Sequence, residues 1–275
     1  MTEQNSIAQL RRRAISERID SMDVDVLLCF ALQKDRNYLY TWPETTLSEI
    51  QRKHFDHLIE RRKNGEPVAY LTGSREFWSL SIKTNAYTLI PRPDTEILVE
   101  TVLQHCDASP KVCVDLGTGT GAIALALKHE RPQWQVSGID RIPEAVELAI
   151  ENANHLQLSV DFQQGNWCAG LDPSTVEIIV SNPPYIDALD SHLKEGDVRF
   201  EPISALVAEN HGLSDIQQII IQAKQCLRSN GLVFLEHGWQ QGAQVRDLLT
   251  GAGFTDVATV KDYGGNERVS FGVLA

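Results

Sequence analysis

Residues 114–127 read VDLGTGTGAIALAL: an apolar strand, a turn carrying Gly117, Gly119 and Gly121, and an amphipathic helix. Glycines permit positive φ in the turn and let backbone N–H groups approach a ligand at the helix N-terminus. The elements around this unit alternate. A helix over 95–106 precedes strand KVCVDLG, helix GAIALALKHE, strand WQVSGID and helix PEAVELAIENANHL, with Pro143 in its first turn. Strand EIIVSN follows, then a helix over 214–229 stopped at Asn230-Gly231, strand LVFLEHG, a helix over 239–250, and strands near 255–260 and 268–274. Such alternation predicts an α/β fold with a parallel, doubly wound sheet and helices on both faces. Ligands of these sheets sit at the carboxyl ends of the strands.

The first 65 or so residues follow a different pattern. SIAQLRRRAISERI puts Ile7, Leu10 and Ala14 on one stripe, and DVDVLLCFALQK is a compact apolar helix. LSEIQRKHFDHLIERRKNG offers a Ser48-x-x-Gln51 capping box, an apolar face through Ile50, Phe55 and Leu58, and an Asn64-Gly65 stop. Short extended pieces follow from about 66 to 95, ending at Pro91-Arg92-Pro93 and predicting a hairpin or linker. There is no internal repeat or low-complexity tract.

Among 275 residues, five scattered cysteines without a C-x-x-C pair predict thiols rather than disulfides or a zinc site. No apolar run approaches a membrane span, and MTEQNSIAQLRRR lacks a signal peptide's apolar centre, so the expected location is cytoplasmic. The net charge of −12 is uneven: residues 1–82 carry 12 basic and 12 acidic side chains, the remainder 13 and 25. An acidic domain repels a phosphate backbone, which weighs against nucleic acid as a direct substrate.

Asp140 ends the strand after the glycine turn, where a carboxylate can accept both hydroxyls of an adenosine ribose. GTGTGAIA also fits the G-x-G-x-x-A of nicotinamide and flavin sites, so this loop alone specifies only an adenosine-containing cofactor. Asp115, just before the turn, would burden a pyrophosphate but suit a sulfonium or an amino group. Trp167, in QGNWC, could lie flat on an adenine or could simply fill core.

A second motif ends the next strand: IIVSNPPYID, residues 178–187. Two prolines remove two donors and cannot continue a sheet. A planar NH₂ group is a poor nucleophile because its lone pair is delocalised. Acceptors aimed at both of its N–H bonds favour rehybridisation toward tetrahedral nitrogen and share the charge that develops. The Asn182 side-chain oxygen and the Pro183 carbonyl can be those acceptors. Pro184 adds no competing donor, and Tyr185 can stack on the planar group, leaving a transfer governed by positioning.

With both motifs present, the chain resembles the class I S-adenosylmethionine-dependent methyltransferases. DLGTGTG looks like their first motif, Asp140 their ribose-binding acid, and NPPY the signature of enzymes that methylate exocyclic or amide nitrogen. NPPY is shared with DNA adenine and RNA guanine methyltransferases, so it specifies chemistry better than substrate. LIPRPDTEILVE, EPISALVAENHGL and DYGGNERV narrow the resemblance to the release-factor glutamine methyltransferases, the PrmC or HemK family, in the same order along essentially the whole chain.

That resemblance implies a seven-stranded Rossmann-like methyltransferase domain over 95–275, a hairpin linker over 69–94 and a substrate-docking helical domain over 1–68. It implies S-adenosyl-L-methionine as cofactor, S-adenosyl-L-homocysteine as product, no metal, no membrane, and class I peptide chain release factors as partners. The methylated group would be the side-chain amide nitrogen of the glutamine in their Gly-Gly-Gln motif. Gly117, Thr118, Gly119, Thr120 and Gly121 would surround the methionine part, Asp140 the ribose and Trp167 the adenine, with Asn182 close to the cofactor too. Asn182, Pro183, Pro184 and Tyr185 would bind the glutamine, with Asn182, Pro183 and Tyr185 catalytic; Arg92 and Glu96 would shape the rim. Two positions depart from the family pattern: Asp94 replaces a glutamate, and Asn166 an acid. Two rivals are nucleic-acid amino methylation and a non-catalytic cofactor-binding module. The first lacks an aromatic-rich basic stripe, and the second leaves Asn182 and Tyr185 without a purpose.

Overall fold

In a computed structural model, which describes residues 5–275, apolar residues at helical spacing draw the first part of the chain into five helices. These are α1 (Ile7–Ser16), α2 (Ser21–Leu32), α3 (Arg36–Thr41), α4 (Glu49–Lys63) and α5 (Val68–Thr72). Ile7, Leu10, Ala14, Leu28, Phe55 and Leu58 meet in one core. The capping box forms as expected: Ser48 Oγ accepts from Gln51 N at 3.3 Å, and Gln51 Oε1 accepts from Ser48 N at 3.0 Å. Ile50, expected on the apolar face, is instead 82% exposed. Five residues before Phe55 it lies about 140° around the helix from that residue, while Phe55, Leu58 and Ile59 share the buried stripe.

One charged group is buried among the described residues of these helices. Asp25 is 1% exposed and accepts from Arg11 Nε at 2.5 Å and Tyr40 Oη at 2.6 Å. Burial pushes its pKa up, but these partners outweigh that and hold it below the ordinary carboxylate value. The segment Lys194–Phe200 belongs to the same compact unit, where Arg62 bridges Asp23 at 2.8 Å and Asp197 at 2.9 Å.

The second unit comprises Arg75–Leu193 and Glu201–Ala275. A two-stranded hairpin, β1 (Ser74–Phe77) and β2 (Leu80–Lys83), leads to α6 (Glu96–His105). Then come β3 (Val112–Leu116), α7 (Ala122–Glu130), β4 (Gln135–Asp140), α8 (Pro143–Leu156), β5 (Asp161–Gln164) and β6 (Val176–Ser181). A single turn, α9 (Glu209–Gly212), precedes α10 (Ser214–Cys226), β7 (Leu227–Glu236), α11 (Gly242–Gly251), β8 (Phe254–Lys261) and β9 (Glu267–Leu274). The seven-stranded sheet runs β5-β4-β3-β6-β7-β9-β8, its first five strands parallel and β9 antiparallel to both neighbours.

Alternate residues of the buried strands face opposite layers. Ile178 and Val180 of β6 pack with Leu98, Leu125 and Ala149 of α6, α7 and α8. Ile179, with Val114 of β3, packs with Ile219 and Val245 of α10 and α11. The sheet is therefore doubly wound, as the alternation predicts. One boundary differs: the helix expected to reach 229 ends at Cys226, and β7 begins at Leu227. Leu227 is buried opposite Val176 of β6, and Asn230-Gly231 becomes an irregularity within the strand, with Asn230 at φ 63°. Sheet pairing overrides the local stop signal. Among the described residues no helix is long and apolar enough to cross a membrane.

Candidate active site

Register brings the two motifs together. Leu116 of β3 pairs with Ile139 of β4 on one side and Ser181 of β6 on the other. The residues that follow, Gly117, Asp140 and Asn182, therefore stand side by side at the carboxyl edge of the sheet. After β5 the chain returns to the far side of β3, so this edge is also the point where strand order reverses, the usual place for a ligand in such sheets.

The glycine turn needs its glycines. Gly117 and Gly121 have φ of 69° and 81°. A Cβ on Gly117 would meet the Trp167 ring at 3.1 Å; one on Gly121 would meet Phe162 at 2.9 Å. Asp140 ties the turn down: Oδ2 accepts from Gly119 N and Oδ1 from Ile142 N, both at 2.9 Å. Burial raises the Asp140 pKa, opposed by those two backbone donors. Trp167 sits at φ 51°, a strained value for a bulky residue.

A cleft opens here, wholly within the second unit. The whole turn from Gly117 to Thr120, with Asp140 and Trp167, lines it, as do Asn166, Asn182, Pro184 and Thr95. Gly121, Pro183 and Tyr185 are not in its wall. Asp115, expected to face a cofactor's positive charge, is also absent: fully buried, it accepts from Thr118 Oγ1 at 2.6 Å and serves the turn. Burial pushes its pKa up to about 7. Arg92 lines the cleft and bridges Glu201, whose Oε1 also accepts from Ile90 N at 2.8 Å. Glu96 instead caps the hairpin, accepting from Trp78 N at 2.8 Å.

At the tip of β6, Asn182 Nδ2 donates to Thr95 Oγ1 at 3.0 Å, and Tyr185 Oη donates to Glu236 Oε1 at 3.3 Å. The carbonyl of Tyr185 accepts from Gln241 Nε2 at 3.0 Å, so this residue is held at both ends. Burial raises the Tyr185 pKa and pushes the Glu236 pKa up to about 7. Thr95, Arg141, Ser204 and Glu236 were not singled out from sequence. Thr95 lies within PRPDTE, and Glu236 follows Leu235, the partner of Ser181 across the sheet; an acid at that edge was the available signal. Arg141 Nη2 donates to Ser204 O at 2.8 Å, joining two walls of the cleft.

The Asp140 carboxylate, the glycine turn and the largely buried Trp167 meet in one cleft, a set of groups that fits an adenosine-containing cofactor. Among the described residues no group of three or more His, Cys, Asp or Glu is placed to hold a metal ion.

Known proteins resemble this chain in both units. Residues 5–73 match the family model for the PrmC N-terminal domain, and residues 93–197 match that for the methyltransferase small domain. A release factor glutamine methyltransferase of Salmonella typhimurium is 52% identical over 251 residues, 91% of each chain. That of Pseudomonas aeruginosa is 52% identical over 255 residues, 92% of each, and that of Escherichia coli is 49% identical over 251 residues, 91% of each. Among solved structures, a methyltransferase from Pyrococcus furiosus superposes with TM-score 0.55 at 18% identity, covering 70% of this chain and 88% of its own. A ribosomal protein L11 methylase from Lactobacillus delbrueckii does so with TM-score 0.51 at 18% identity, covering 67% and 81%. These two share the fold.

Proposed function

The chain belongs to the release factor glutamine methyltransferases, S-adenosylmethionine-dependent enzymes, and from that premise we propose how its own residues carry the reaction. It transfers a methyl group to the side-chain amide nitrogen of the glutamine in the Gly-Gly-Gln motif of peptide chain release factors. S-adenosyl-L-methionine, when bound, supplies an electrophilic methyl on a sulfonium sulfur. Gly117 to Thr120 surround its methionine part, with Gly121 starting the helix behind them, Asp140 holds the ribose hydroxyls, and Trp167 covers the adenine. A release-factor substrate makes the cytoplasm the expected site of action, and that location is part of this reading.

The single observation that carries this reading is the adjacency of Asn182 to Gly117 and Asp140 at one sheet edge. It puts an amide-binding turn next to a cofactor loop. Asn182 Oδ1 and the Pro183 carbonyl, on the peptide that joins it to the cleft-lining Pro184, accept the two amide hydrogens, drawing the nitrogen lone pair out of conjugation and toward the methyl carbon. Pro184 offers no rival donor. Tyr185, anchored through Glu236 and Gln241, keeps the turn rigid. The nitrogen loses its proton to water once methylated, because the amide is far more acidic when it carries the charge. No strong base is required.

The test is methyl transfer from labelled cofactor to a release factor, beside the same factor with its Gly-Gly-Gln glutamine changed to alanine. Label should enter the first and not the second; equal label in both rules the reading out.

A further inference from the structure

Asn182 serves the proposed reaction through one atom, Oδ1. A primary amide turned over by 180° would present its NH₂ instead and repel the substrate amide. The cleft therefore needs a device that sets which way Asn182 points.

Thr95 has the right placement. It is 5% exposed, lines the same cleft, and its Oγ1 lies 3.0 Å from Asn182 Nδ2. By itself a hydroxyl would not discriminate, since it can donate to an amide oxygen as readily as accept from an amide nitrogen. What discriminates is a second acceptor competing for its single proton. The Glu236 carboxyl is fully buried, and its Oε2 has no partner at close hydrogen-bond geometry among the described residues. The Thr95 hydroxyl favours negative charge on this group. Hydroxyls rotate, and a proton turned toward Glu236 leaves the Thr95 lone pairs to Asn182. The same carboxyl already takes the phenol of Tyr185 through its other oxygen.

We infer that Thr95 is a positioning residue: it accepts from Asn182 Nδ2, so that Oδ1 faces the substrate nitrogen, and Glu236, in its ionised carboxylate form, draws the Thr95 proton away from that contact. The inference deepens the proposed reaction and rests on Asn182 being an acceptor in it.

The variants Thr95→Val and Thr95→Ser separate the hydroxyl from the bulk of the side chain. With a release factor as substrate, Thr95→Val should lower kcat at least ~10-fold, the scale of an interaction made in the transition state, while Thr95→Ser stays within ~3-fold of wild type. The dissociation constant for S-adenosylmethionine, measured by calorimetry, should remain within about twofold in both, because the contact is not to the cofactor. Wild-type turnover in Thr95→Val, or equal loss in Thr95→Ser, overturns the inference. So does a loss of cofactor affinity as large as the loss of kcat. A second measurement stands apart from turnover: hydrogen exchange of the Asn182 side-chain amide by NMR, expected at least ~10-fold faster in Thr95→Val than in wild type. If the wild-type enzyme left release factor unmethylated, the reaction would fail while this measurement still decided the positioning role, unchanged exchange overturning it.

Discussion

At the scale of single residues, the site is a set of polar atoms whose directions are set by buried neighbours. Asn182→Ala removes an acceptor that strengthens as nitrogen rehybridises, so kcat should fall ~100-fold or more. Comparable turnover in that variant would deny Asn182 its role. Glu236 allows a second prediction. Burial lifts its pKa from 4.5 to about 7, against Thr95, Tyr185 and Arg268, which favour its charge, and beside Asp94, which opposes it. Between those values the folded chain keeps a proton that the unfolded chain has released, so stability falls as pH rises through this window. Glu236→Gln cannot titrate. Relative to that variant, wild type should lose on the order of 2 kcal/mol between pH 5 and pH 8. The check is thermal melting across that range; parallel curves would show that Glu236 is not shifted. Asp115, also raised to about 7, is present in both proteins and cancels in the comparison.

At the scale of elements, function depends on where strands end. The turn after β3 holds three glycines at positive φ, and Gly121 starts α7 against Phe162 and Ala149. Gly121→Ala incurs a left-handed penalty of about 1–2 kcal/mol and a clash besides. Cofactor affinity should drop at least ~10-fold as the turn shifts; an unchanged calorimetric dissociation constant would contradict this. The motif GTGTG was legible because a glycine run between strand and helix has few other uses. The start of β7 was not, since Leu227 is drawn into the sheet by pairing with Val176, a residue fifty-one positions earlier. Ile50 misled for a related reason: an apolar residue counts toward a face only if its angle on the helix matches its neighbours.

At the scale of the molecule, two compact units each bury their own core. Asp25 belongs to the helical one. Asp25→Ala deprives Arg11 and Tyr40 of their acceptor and should cost about 2 kcal/mol of that unit's stability. Cofactor affinity should hold within about twofold, because the cleft lies in the other unit. Calorimetric melting and cofactor titration of the same variant check both halves; affinity falling with stability would mean the units do not hold their structure separately.

The chain by itself determined the alternation that makes a doubly wound sheet, the glycine turn, the acid at 140 and the NPPY tip, because each is a local pattern with a local physical cause. Only the tertiary structure decided that Tyr185 points at Glu236 rather than into the cleft, that Asp115 braces the turn, and that Thr95 meets Asn182 across eighty-seven residues. Those facts depend on strand register and on which buried acceptor each proton finds. Neither is encoded in any one segment, since both partners must be folded before the contact exists.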